Sequence, residues 1–226
     1  MQNSTVASDS TGAMLLVSMI RATANSIEVN RDTINALNVF PVPDGDTGTN
    51  MMLTLRSVVD DIGDDASGTI GEVANRMARA ALLGARGNSG LILAQFFKGL
   101  SESLGTTDGE PLLRGSSFAK SLRIAATNSY KAVPNPVEGT MLTVYRECAE
   151  VAEASAAKNG SFENVLSAVA ASSLETVRRT PQLLPVLAEA EVVDSGGFGF
   201  AVMLDGALRA LHGEEPEARV VEVPLP

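Results

Sequence analysis

The sequence predicts an all-α protein built as a bundle of about eight helices. Apolar residues recur at three- and four-residue intervals through most of its 226 residues, whereas the two-residue alternation of half-buried strands is nearly absent. The hydrophobic content is 45%, drawn from Ala, Leu, Val and Met with only 4% aromatic residues and no Trp, and this suits close-packed helices better than strands. Gly, Pro and polar clusters divide the periodic runs at helix-length intervals.

After a polar, flexible stretch over 1–9, the periodicity places helices over 10–25 and 29–37. Pro41 and Pro43 interrupt the pattern, and a helix follows over 49–62. The next, 70–85, opens on a capping box formed by Thr69 and Glu72. A cluster of small residues precedes a helix over 89–104, and a loop from Gly105 to Gly115 leads to another over 115–132. Val133-Pro134-Asn135-Pro136 is a loop ahead of a helix over 140–157. Ser161 caps a helix over 162–178, a short helical turn falls near 182–189, and the last helix covers 196–211. Residues 10–212 read as one domain, and the acidic 213–226, ending in Val-Pro-Leu-Pro, as a linker or tail.

Composition excludes several function classes. A formal net charge of -10 argues against nucleic acid or an anionic membrane as partner, since both demand a positive face. No apolar run reaches the roughly 18 residues of a membrane span. Met1 to Gly12 lacks the basic and apolar regions of a secretory signal, and the single Cys148 allows no internal disulfide, so a soluble, cytoplasmic protein is expected. His212 is the only histidine, which leaves little room for a Ser-His-Asp triad or a multi-histidine metal site; its place suits a solvated helix end.

The segment Pro43-Asp44-Gly45-Asp46-Thr47-Gly48-Thr49 carries the strongest chemical signal. In an extended segment residues i and i+2 share a side, so Asp44 and Asp46 are placed to grip a hard divalent cation. A calcium loop of the EF-hand type fails, because Thr49 and Leu55 stand where Gly and Glu are required. Thr49-Asn50-Met51 opens a helix whose free amides would face an anion. A polar turn without any ligand is the competing reading.

Three more segments put small or hydroxyl residues at a helix start: Gly84-Ala85-Arg86-Gly87-Asn88-Ser89-Gly90, Glu138-Gly139-Thr140-Met141-Leu142 and Asp194-Ser195-Gly196-Gly197-Phe198-Gly199. Each offers helix amides and a backbone open to close approach, and together they would build a nucleotide pocket at one end of the bundle. Their glycines could equally serve as caps or close helix contacts. Neither the Walker pattern nor G-x-G-x-x-G is present; Gly84, Gly87 and Gly90 give G-x-x-G-x-x-G. Arg86 is placed to steady a transferring phosphoryl group, or to sit as an exposed helix-end residue.

Leu37 to Met51, Gly84 to Gly90, Glu138 to Leu142, and Thr180-Pro181-Gln182-Leu183-Leu184-Pro185-Val186-Leu187 leading into Asp194-Ser195-Gly196 together resemble the nucleotide-binding domain of the dihydroxyacetone kinase superfamily. The likeness is nearest to the N-terminal kinase domain of bacterial fatty acid kinases. It implies an eight-helix antiparallel barrel, with ATP and two Mg2+ ions at one end, over residues 10–212. It implies metal ligation by Asp44 and Asp46, with Asn38 near the third position, where the dihydroxyacetone branch has an aspartate. It further implies phosphate contacts from Thr47, Gly48, Thr49, Asn50, Asn88, Ser89 and Gly90, a pocket lined by Thr140 and Met141, and sugar and diphosphate contacts from Asp194, Ser195 and Gly196.

The reaction so implied is ATP-dependent phosphorylation of a fatty acid carboxylate presented by a separate fatty-acid-carrying protein. A homodimer would form through further domains. Two alternatives stand beside it: a kinase for dihydroxyacetone or another small hydroxyl acceptor, and a nucleotide-binding interaction module without chemistry of its own.

Overall fold

A computed structural model of the chain describes residues 2–63, 67–104, 113–158, 160–214 and 221–223. Among them are nine helices and no strand: α1 (Gln2–Ala36), α2 (Thr47–Ile62), α3 (Ile70–Gly84), α4 (Gly87–Leu104), α5 (Gly115–Ala132), α6 (Met141–Ala157), α7 (Phe162–Leu183), α8 (Pro185–Glu189) and α9 (Ser195–Leu211). Eight are long, and α8 is a five-residue turn of helix. From α1 to α7 each packs against its successor, and α9 packs against both α7 and α1, so the eight long helices close into a ring. The starts of α2, α4, α6 and α9 thereby share one end of the ring with the C-terminal ends of α1, α3, α5 and α7.

The expected caps are present. Thr69 Oγ1 accepts from Glu72 N (3.2 Å), while Thr69 N donates to Glu72 Oε2 (2.7 Å). Ser161 Oγ accepts from Asn164 N at 3.2 Å. The few aromatic rings are concentrated inside, where Phe200 of α9 meets Phe96 of α4 at 5.5 Å and Tyr145 of α6 at 4.5 Å between ring centroids. Such edge-on stacking adds to the burial that holds the ring together. An apolar cavity lined by Met19, Phe97, Phe118, Leu166 and Met203 lies toward the opposite end from the α2 and α4 starts.

Three boundaries differ from expectation. First, α1 begins at Gln2 and runs unbroken to Ala36, where two helices were expected with a flexible stretch before them. Ser26 and Asn30 are buried: Arg209 of α9 donates to Ser26 Oγ (3.0 Å), and Asn30 Nδ2 donates to Ser26 O (2.8 Å). Second, α7 passes through Pro181 to Leu183. Proline has no N–H for the carbonyl four residues back; here the Thr180 hydroxyl donates to that carbonyl, Val177 O, at 2.7 Å. Third, part of the expected tail packs onto the domain: Val221 is buried, and its N–H donates to Asn30 Oδ1 at 2.9 Å. Most of the loop expected between Gly105 and Gly115 lies outside the described residues.

His212 behaves as a helix-end residue, exposed beyond α9 with Nε2 3.1 Å from Glu163 Oε1. No helix among the described residues is long and apolar enough to cross a membrane.

Candidate active site

The end of α1 shapes the Asp44/Asp46 loop. Asn38 is 7% exposed; its Oδ1 accepts from Asp46 N (3.2 Å) and Thr47 N (3.3 Å), and its Nδ2 donates to Val42 O (3.0 Å) and lies 3.5 Å from Phe40 O. One turn earlier, Asn35 Oδ1 accepts from Thr49 N (3.1 Å) and Nδ2 donates to Thr49 Oγ1 (3.0 Å). Between these two contacts Gly48 lies against the α1 backbone, where a Cβ would collide with Arg31 O.

Two expectations are corrected at this point. The loop is not extended around the aspartates, because Gly45, at φ +67°, bends the chain in the left-handed region that glycine tolerates. The amides of Asp46, Thr47 and Thr49 are not free for an anion; they are bonded to the side-chain oxygens of Asn38, just past α1, and Asn35 in its last turn. The carboxylates themselves remain accessible. Asp44 is exposed, and Asp46, half-buried at the N-cap of α2, makes no capping hydrogen bond with its side chain.

The α3–α4 turn is tied to α2. Arg86 N donates to Thr54 Oγ1 (3.2 Å), which itself donates to Asn50 O (2.7 Å). Gly90 sits against the same hydroxyl, with room for no Cβ: one built there would come within 2.5 Å of Thr54 Oγ1. Asn88 is exposed and Ser89 half-buried in the first turn of α4. The Arg86 guanidinium turns back, Nη1 donating to Gly84 O (3.3 Å) and Ala85 O (3.1 Å). The side chain lies exposed beside the end of α3.

The α6 and α9 starts meet each other. Thr140 caps α6, its Oγ1 accepting from Leu142 N (3.4 Å) and donating to Val137 O (2.8 Å). Met141 is buried against Gly196, whose Cβ, if it had one, would lie 3.3 Å from Met141 Cβ. Asp194 caps α9 through Gly197 N (2.7 Å), and its own N–H donates to Thr180 Oγ1 (3.0 Å). Burial pushes the Asp194 carboxyl up to about 6, against the opposite pull of hydrogen bonds from the Gly197 and Met141 amides. Ser195 Oγ donates to Thr47 Oγ1 at 3.2 Å, joining the start of α9 to that of α2 across 148 residues of chain.

Several supporting residues escaped the sequence reading. Glu138, quoted there without a role, gathers hydrogen bonds from Tyr130 (2.6 Å), Thr143 (2.7 Å) and Arg146 (3.0 Å), while Gly139 N donates to Thr143 Oγ1 (2.9 Å). This clamp fixes the loop before α6. Burial raises the Glu138 carboxyl, but the hydrogen bonds from Tyr130, Thr143 and Arg146 outweigh it, and the net shift is downward. Asn35, Thr54 and Thr180 act similarly, and their one sequence signal is a hydroxyl or amide near a helix end.

The glycines of the α4 and α9 starts serve close helix contact. Gly199, for example, faces Met51 of α2, and a Cβ there would stand 2.5 Å from Met51 Sδ. The four predicted stretches nonetheless come to one end of the ring, through Ser195 to Thr47, Arg86 to Thr54, and Met141 to Gly196.

Residues 41–209 match the family described as the DAK2 domain. The chain belongs to that family. A DAK2 domain is a kinase-related domain of the dihydroxyacetone kinase superfamily, as the resemblance implied. Its relatives include an uncharacterised protein of Staphylococcus saprophyticus, 41% identical over 205 residues, 91% of this chain and 37% of the relative. Another, of Staphylococcus aureus, is 39% identical over 209 residues, 92% of this chain and 38% of the relative. The chain thus spans under two fifths of the length of these relatives. Among solved structures, the dihydroxyacetone kinase of C. freundii in complex with AMP-PNP and Mg2+ has a TM-score of 0.64 at 16% identity, covering 87% of this chain and 34% of that one. The native form of the same enzyme gives 0.61. At that identity the likeness establishes the shared fold.

The donor set of this DAK2 domain fits magnesium. Among the described residues no three His, Cys, Asp or Glu side chains cluster as for a protein-only metal cage. Two carboxylates in one loop are what Mg2+ takes from a protein when substrate phosphates complete its shell.

Proposed function

We propose that this DAK2 domain transfers the γ-phosphoryl group of ATP to a fatty acid carboxylate presented by a separate lipid-carrying protein, giving an acyl phosphate and ADP. The observation that carries the reading is the convergence of four helix-end stretches, one bearing Asp44 and Asp46, at one end of the helical ring, bonded together through Ser195 and Thr47. The superfamily relationship and the AMP-PNP and Mg2+ of the dihydroxyacetone kinase structure support it.

Asp44 and Asp46 would hold magnesium, two ions by the resemblance to the superfamily, and the bound metal would neutralise phosphate charge as it builds in transfer. Asn88, Ser89 and Gly90 at the α4 start, with the side chains of Thr47, Thr49 and Asn50, would contact phosphates. Thr140 and Met141 would line the nucleotide pocket, and Asp194, Ser195 and Gly196 would lie by the sugar and diphosphate. The acceptor carboxylate is already ionised at pH 7 and attacks the phosphorus without a general base, in keeping with a site remote from His212. Positioning and charge complementarity supply the catalysis.

The test is ATP consumption with a fatty-acid-loaded carrier, using the full-length protein. Asp44→Ala and Asp46→Ala are each expected to lower turnover at least 100-fold, the range lost when a main electrostatic contributor is removed. Full activity in both variants would refute the metal assignment. Transfer to dihydroxyacetone in place of the fatty acid would move the protein to the small-molecule branch, and Mg-ATP binding without transfer to either would make it an interaction module.

A further inference from the structure

We infer that Asn38 is a positioning residue of the metal-binding loop and not a ligand of the ion, an inference that rests on the kinase reading above. Its side chain is 7% exposed and faces both directions along the loop. An amide oxygen has two lone pairs, and both here have donors: the N–H groups of Asp46 at 3.2 Å and Thr47 at 3.3 Å. On the other side Nδ2 donates to Val42 O at 3.0 Å and stands 3.5 Å from Phe40 O. Ligation by Oδ1 would require it to release the two amides that fix where Asp46 begins α2.

The need for donor and acceptor together selects asparagine. An aspartate at 38 accepts from Asp46 N and Thr47 N but has nothing to give Val42 O, and it sets a carboxylate against that carbonyl. Asn35, three residues earlier in the last turn of α1, repeats the device on Thr49, accepting from its N–H (3.1 Å) and donating to its hydroxyl (3.0 Å). The first turn of α2 is therefore capped by neutral amide oxygens from the end of α1 and the residues just past it. The loop from Asn38 to Asn50 keeps Asp44 and Asp46 as its only acidic side chains. Its metal affinity then depends on the Asn38 bonds through the placement of Asp46.

Binding of Mn2+ in the presence of ADP, followed by the electron paramagnetic resonance signal of free Mn2+, separates the two roles. A metal-ligating residue 38 gains affinity on Asn38→Asp, because a carboxylate replaces an amide as a hard donor. A positioning residue loses it, and we expect at least a tenfold weakening. The added negative charge favours the cation, so a fall reports the lost loop geometry. Unchanged or tighter binding overturns the inference and leaves the kinase reading intact; absence of Mn2+ and ADP binding by the wild-type protein overturns both. A second measurement needs no variant. Amide hydrogen exchange at Asp46 and Thr47 is expected to stay as slow or become slower when Mg-ADP is added, whereas faster exchange would show Asn38 Oδ1 leaving the amides for the metal.

Discussion

Asp194 is the buried carboxyl that the site keeps at a cost. Its side chain sits at the α9 N-cap, and burial raises it to about 6 despite the amides of Gly197 and Met141. In the unfolded chain an aspartate titrates near ~4. Between about pH 4 and pH 6 the folded protein therefore holds more protons than the unfolded one, and stability falls as pH rises through that window. The stabilising contribution is complete below pH ~4 and lost above ~6. Asn at 194 keeps an acceptor for Gly197 N but cannot titrate. The unfolding free energy of the wild-type protein, measured in urea, should fall relative to Asp194→Asn by roughly 2–3 kcal/mol between about pH 4 and pH 7. A gap that does not change with pH would mean an ordinary carboxyl. Arg86 is held by backbone instead, its guanidinium donating to the carbonyls of Gly84 and Ala85 at the end of α3.

At the scale of one element, α7 shows how a helix passes a proline. The Thr180 hydroxyl fills Val177 O, which Pro181 leaves open, and in turn accepts from Asp194 N. One buried hydroxyl thus repairs α7 and anchors the start of α9. Thr180→Val leaves two buried backbone groups unpaired and should destabilise by about 2–6 kcal/mol, at about 1–3 kcal/mol for each such group. In a Pro181→Ala background the restored N–H can reach Val177 O, so the same substitution should cost about 1 kcal/mol less. A double-mutant cycle by urea unfolding reads this coupling directly, and strict additivity would refute it. The sequence reading ended this helix at 178, ahead of Pro181, because the repair depends on a side-chain rotamer, which no local pattern records. The capping box at Thr69 and Glu72 was legible because both partners lie within four residues.

For the whole molecule, closure of the ring is the property on which the site depends, since α9 joins α1 and α7 and carries Ser195 to Thr47. The segment around Val221 braces the same wall, burying its side chain and bonding Asn30 of α1. Removing residues 221–226 should cost roughly 2–4 kcal/mol, from the lost Val burial and the lost backbone hydrogen bond to Asn30. A thermal midpoint unchanged by that truncation would show that the contact contributes nothing.

Helix content, helix order and the four small-residue helix starts were all readable in the sequence. They follow from periodicity, capping residues and turn chemistry, which act over a few neighbours in the chain. Asp44 and Asp46 were legible for the same reason. What only the tertiary structure decided is how those pieces are used. It carried α1 through the expected break at 26–28, with Ser26 bonded to α9 and Asn30 to Val221, and gave the amides of Asp46 and Thr49 to Asn38 and Asn35. Asn, Ser and Thr bond equally well to solvent, to a ligand or to a distant backbone, and only the closed ring brings one of those partners within reach.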